Sequence, residues 1–172
     1  MPQLDSFAAK ELSLLPASLV TAVEAAPLPE IGAGPPVAEL AQSLTDGLSS
    51  KWPSIAPPQR SLCVSGLWLL AGDLDRSHTI SQSIVSAEGS FWHAIMHRRE
   101  GDFGNSKYWF RKVGNHPVLE QLVEVSEATY PDPFDFVDSC SDVKQGGDES
   151  YQRCQRTQWL EWQALMAYCI AM

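Results

Sequence analysis

His93 and His97 stand four residues apart in the run Ser90-Phe-Trp-His-Ala-Ile-Met-His-Arg-Arg-Glu-Gly-Asp-Phe-Gly-Asn-Ser-Lys-Tyr-Trp-Phe-Arg111. On a helix that spacing projects both imidazoles from one face, one turn apart. Two histidines so placed can share one metal ion. A third ligand is at hand in His78, with His116, Glu100 and Asp102 as alternatives. A catalytic zinc or iron takes three protein ligands and keeps one position for water; manganese and nickel are the other divalent ions that fit the expectation. The reading that follows is a small-molecule site on residues 73–117, belonging to a metal-dependent, hydrolase-like enzyme. His78, His93 and His97 are then the metal ligands, and Glu100 or Asp102 is the general base. Arg98, Lys107 and Arg111 orient an anionic substrate. Ala94 stands where zinc proteases place a glutamate after the first histidine, so the pattern is not theirs.

The same segment supports a second reading. All four histidines lie between positions 78 and 116, and five of the twelve basic residues (Arg98, Arg99, Lys107, Arg111 and Lys112) lie between 98 and 112. Arginine binds phosphate or carboxylate through its planar fork, and lysine binds as a point charge. Asn105 and Ser106 add neutral donors, His116 adds a ring, and Trp92, Tyr108 and Trp109 offer faces for a planar ligand. This describes a metal-free binding module for a small anionic molecule or a partner peptide. A third reading is purely structural, with these cations paired to Asp73, Asp75, Glu88, Glu100 and Asp102. In Asp73-Leu-Asp75-Arg-Ser-His78, a carboxylate near a histidine can fix its tautomer or simply cap a helix.

His93-Ala-Ile-Met-His97-Arg98 is similar over its six residues to the His-x-x-x-His-Arg of metal-binding four-helix proteins of the DinB type. That resemblance implies a third histidine from an earlier helix, and His78 lies closer in sequence than the pattern has it. The longer stretch from Ser90 through Val118, with Asp75-Arg-Ser-His-Thr-Ile-Ser-Gln82 upstream, resembles a family of uncharacterised proteins known mainly from genome translations. The likeness is close over some 45 residues and looser as far as the terminal tryptophans. That family has no established activity, so it implies no roles for these residues. Nucleophilic catalysis has little support: there is no Gly-x-Ser-x-Gly elbow and no phosphate-binding glycine loop.

The elements that position this segment are predicted to be helices. At 172 residues, 44% hydrophobic and 19% charged, the chain fits one helical domain with a substantial core. Residues 1–58, rich in Pro and Ala, are expected to pack on or over a core formed by 59–172. Periodicity predicts helices over 5–15, 17–26 and 37–48, a nearly all-apolar one from Gln59 to Leu70, and one capped by Ser90. Thr79–Val85 fits either helix or strand. Asn105 or Ser106 starts a short turn, Pro117 opens a helix at its first position, and Asp132 caps another. The strongest element runs from Asp148 to Ala171, and it should pack against the Gln59–Gly72 helix. No alternating strand pattern is present. The expectation is therefore an all-α, compact irregular bundle of six to eight helices.

The formal charge of −9 argues against nucleic acid and anionic membranes as partners. No run of about 18 apolar residues is present to span a bilayer. Met1-Pro2-Gln3-Leu4-Asp5 lacks the start of a secretory leader, and none of the four cysteines is spaced as CxxC. The expectation is a cytoplasmic protein whose cysteines are small buried hydrophobes.

Overall fold

A computed structural model describes residues 4–49, 52–126, 129–130, 132–143 and 147–172. These residues form ten helices and no strand. In chain order they are α1 (Ser6–Leu12), α2 (Ala17–Ala25), α3 (Ala38–Leu48), α4 (Pro57–Leu70), α5 (Leu74–Ser81), α6 (Ala87–Glu100), α7 (Phe103–Val113), α8 (Pro117–Val125), α9 (Pro133–Asp142) and α10 (Glu149–Ala171). The all-α expectation holds, with more helices than the six to eight predicted. The surplus is α5 and α7, where the sequence leaves helix or strand open after Thr79 and suggests only a short turn from Asn105 or Ser106. None of the helices is long and apolar enough to cross a membrane.

The joins explain the boundaries. Asp73 caps α5 by accepting from the Arg76 amide at 3.0 Å, so the ambiguous stretch after Thr79 is helical only to Ser81. α6 begins at Ala87, and its cap lies four residues before the expected Ser90. Ser86 Oγ accepts from the Gly89 amide at 3.1 Å, and Ser90 lies inside the first turn, donating to the Ser86 carbonyl. Asp102, rather than Asn105 or Ser106, opens α7. Pro117 and Asp132 do what their types suggest: Pro117 is the first residue of α8, and Asp132 accepts from the Phe134 and Asp135 amides.

α4, α6 and α10 form the centre. Gly66 on α4 is the point of closest approach: an added Cβ there would lie 2.6 Å from the Trp92 ring and 2.8 Å from the Met166 methyl. Trp162 on α10 donates its indole N–H to the Gly66 carbonyl at 2.7 Å, so the terminal helix packs on α4 as its tryptophans suggest. α1 lies on α10, tied by Asp5, whose backbone and carboxylate both pair with the Gln163 amide. α6 is buried on every side from Glu88 through Arg99. A buried helix carrying two histidines and two arginines must find an internal partner for each, because an unpaired polar group inside costs about 1–3 kcal/mol.

Candidate metal centre

The hairpin of α6 and α7 builds one wall. Gly101 takes the left-handed conformation (φ 89°) that ends α6, with its amide and that of Asp102 returning to the Arg98 and His97 carbonyls. Asp102 then caps α7, which folds back along α6, and Ser106 Oγ pins the pair by donating to the Ala94 carbonyl at 2.8 Å. Asn105 and Trp109, one turn apart on α7, thereby face His97 and His93, one turn apart on α6. The opposite wall is α5, held to α4 by Ser65, whose hydroxyl bonds the Ser77 carbonyl and lies 3.2 Å from its hydroxyl. That clamp brings His78 over the other two rings.

The three imidazoles form a cluster. His93 and His97 stack with centroids 4.7 Å apart, and His78 meets them edge-on at 4.7 and 5.3 Å. One ring nitrogen from each lies within 4.8 Å of the others. A tetrahedral zinc with Zn–N bonds of about 2.0–2.1 Å holds its nitrogens roughly 3.3 Å apart. A bound zinc would thus hold these nitrogens closer together than the 4.8 Å within which they lie. Trp109 lies flat on the far face of His93 at 4.0 Å.

Hydrogen bonds set the state of the His97 ring. His97 Nδ1 lies 3.0 Å from Glu100 Oε2, and a carboxylate only accepts, so Nδ1 carries the proton. Nε2 keeps its lone pair, to which Asn105 Nδ2 donates at 3.2 Å. A metal-binding histidine with a carboxylate on its second nitrogen has this arrangement. His93 is 2% exposed, and neither of its ring nitrogens has a hydrogen-bond partner. Burial, then the neighbouring His97 and His78 and the Lys112 ammonium, push the His93 pKa down to about 4. His97 is also lowered by burial, against the opposing pull of Glu100. Both rings are thus held neutral at physiological pH, the form that coordinates metals.

The remaining site expectations are met differently. Glu100 is half-exposed and spends its carboxylate on His97, and Asp102 spends its own on the Asn105 amide. Trp92 is fully buried, with its ring packed against Gly66 of α4. The cations do not converge. At 100° per residue Arg98 and Arg99 leave α6 on other faces than the histidines. Arg98 is buried against Glu161, which it grips with both terminal nitrogens, and its guanidinium lies over the Phe136 ring. Arg99 donates to the carbonyls of Gly32, Ala33 and Leu69, fastening the proline-rich connector. Lys107 pairs with Asp138 at 2.6 Å, Arg111 stands over the Phe134 ring, and Tyr108 is exposed beside Lys112. His116 caps α8, accepting from the Val118 amide at 3.2 Å, while its other nitrogen faces Glu88.

Glu161 is the consequential residue that the sequence did not single out. Its only local signal is a carboxylate between Trp159 and Trp162 on an apolar stripe, which asks for a buried cation. Tyr130 also donates to it, at 3.1 Å. Compared with known proteins, the chain matches no family model, no curated protein and no solved structure.

Proposed function

We propose that His78, His93 and His97 bind one divalent transition-metal ion, and that the chain is a metal-dependent enzyme of hydrolytic type. The observation that carries this reading is His93: a buried imidazole with both nitrogens unpartnered, set between two further imidazoles. A structural histidine is expected to have found a carbonyl or carboxylate, as His116 does. A metal ion would satisfy its lone pair and account for three imidazoles in contact.

Three imidazoles and no carboxylate ligand suit zinc best, with nickel and iron also within reach; manganese prefers carboxylates. Such a set leaves a position for water, whose pKa a bound zinc lowers to about 7, giving a hydroxide nucleophile at neutral pH. Glu100 would then be a positioning residue that orients His97. Asn105, already at the His97 lone pair, would yield that nitrogen to the metal and turn toward the bound water. Half-buried His78 marks the side on which substrate would enter.

The test is elemental analysis of protein purified without chelator or affinity histidines, beside a His93→Ala, His97→Ala double variant. One equivalent of zinc, nickel or iron that the variant lacks supports the reading and directs assays to ester, amide and phosphoester hydrolysis. A wild type that carries no metal, and takes up none on reconstitution, sinks it.

A further inference from the structure

Lys112 is a cation that the metal centre leaves unused. It stands in the last turn of α7, and its ammonium lies 4.5 Å from the Trp109 ring centroid and 4.9 Å from that of Tyr108. Such contacts position a charge without neutralising it. Among the described residues Lys112 forms no salt bridge and no side-chain hydrogen bond. Its neighbours in sequence differ: Arg98 has Glu161, Lys107 has Asp138, and Arg99 has three backbone carbonyls.

Lys112 borders a cavity of about 320 Å³ whose other walls include Gln82, Ile84, Val85, Ser90 and Trp109. This cavity flanks the histidine cluster on three elements. Trp109 walls it while stacked on His93 at 4.0 Å, Ser90 precedes His93 by one turn of α6, and Gln82 ends α5 one turn after His78. Among the described residues Lys112 is the one charged group lining it. Glu88, in the first turn of α6, is buried and faces His116 instead. The Gln82 amide has no hydrogen-bond partner among the described residues and supplies a neutral donor. Ile84, the fully exposed Val85 and the Trp109 ring supply apolar surface.

We propose that this cavity binds a small organic carboxylate, with its charge on Lys112 and its apolar body against Ile84, Val85 and Trp109. One ammonium balances one negative charge, whereas a phosphate ester carries nearly two at neutral pH and would leave one unmatched. The volume is at the small end of ligand sites, about 300–1,000 Å³, so the ligand is compact. Binding here needs no metal on the histidines.

The experiment is calorimetric titration of the full-length protein, in chelator and at low salt, with benzoate, benzamide and inorganic phosphate. Benzamide keeps the shape of benzoate without its charge, so the wild type alone separates charge recognition from apolar filling. The expected result is that benzoate binds, that benzamide binds at least about tenfold more weakly, and that phosphate does not displace benzoate. Lys112→Met should lose about the same factor for benzoate, and Lys112→Arg should keep most of the affinity. Lys112 is exposed, so both variants should melt with the wild type when no ligand is present. Equal affinity for benzoate and benzamide overturns the proposal, as does undiminished benzoate binding by Lys112→Met. Phosphate bound in preference to benzoate overturns it, and so does a wild type that binds no benzoate at millimolar concentration. Because chelator removes any metal, each of these failures leaves the reading of the histidine cluster to its own test.

Discussion

Replacing His93 with leucine should stabilise the metal-free protein and disable the metal-loaded one. In the metal-free state the neutral ring has one N–H and one lone pair, both buried and unpartnered. Each unmade bond costs about 1–3 kcal/mol, so together they cost roughly 2–6 kcal/mol. Leucine is close in volume and removes both groups. It also gives up the stack on Trp109 at 4.0 Å, a contact of the kind worth about 0.5–1.5 kcal/mol. The net expectation is a gain of about 1–5 kcal/mol, or roughly 2–20 °C in Tm for a chain of this size. Zinc at a hundred times its Kd adds about 2.7 kcal/mol to the wild type. The variant lacks that addition, so the order of melting temperatures closes up or reverses. The assay is thermal unfolding of both proteins in chelator and across a zinc titration. A variant that melts several degrees lower in chelator would refute the reasoning, because the ring would then be packing rather than an unsatisfied ligand. Equal zinc stabilisation of both proteins would refute it as well.

Glu100→Gln leaves His97 without the carboxylate that fixes its tautomer, and metal affinity should fall about 10–100-fold in a competitive chelator titration. Glu100 is 55% exposed, so its loss should change folding stability by less than about 1 kcal/mol. Arg98→Met strands the Glu161 carboxylate in the core and should cost about 3–5 kcal/mol in urea unfolding; the Arg98→Met, Glu161→Leu double variant should recover most of it. A single-variant cost below about 1 kcal/mol would mean that Arg98 is not committed to the core. In chelator, His93 titrates near 4 in the folded protein against 6.5 for its unperturbed ring, so the folded state binds fewer protons between those values. Its contribution is present above pH 6.5 and is lost as pH falls toward 4. The urea midpoint should drop over that window in the wild type, and less steeply in His93→Leu.

The fold class, the terminal helix and the histidine pair were legible in the sequence because each rests on local rules. Apolar spacing of three and four marked α3 and α10. Pro117 and Asp132 marked helix starts, since a missing N–H and a short acceptor matter only within one turn. His93 and His97 share a face of α6 by helical geometry alone. Ser86 and Ser90 are both good caps by type, and the choice of Ser86 depends on how α5 turns into α6.

The sequence by itself determined that imidazoles and cations crowd one segment, and that two histidines point the same way. Only the tertiary structure decided which of these groups are available for chemistry. His78 joins the pair because Ser65 clamps α5 onto α4, and Asn105 and Trp109 arrive because Gly101 and Asp102 turn α7 back on α6. The arginines leave the site for partners 60 residues or more away, Arg98 for Glu161 and Arg99 for the connector carbonyls. A charge buried in a core must be paired wherever the partner lies in the chain, and separation along the chain carries no trace of that pairing. His93 is the converse case: its lack of a partner can be seen only once every neighbour is in place.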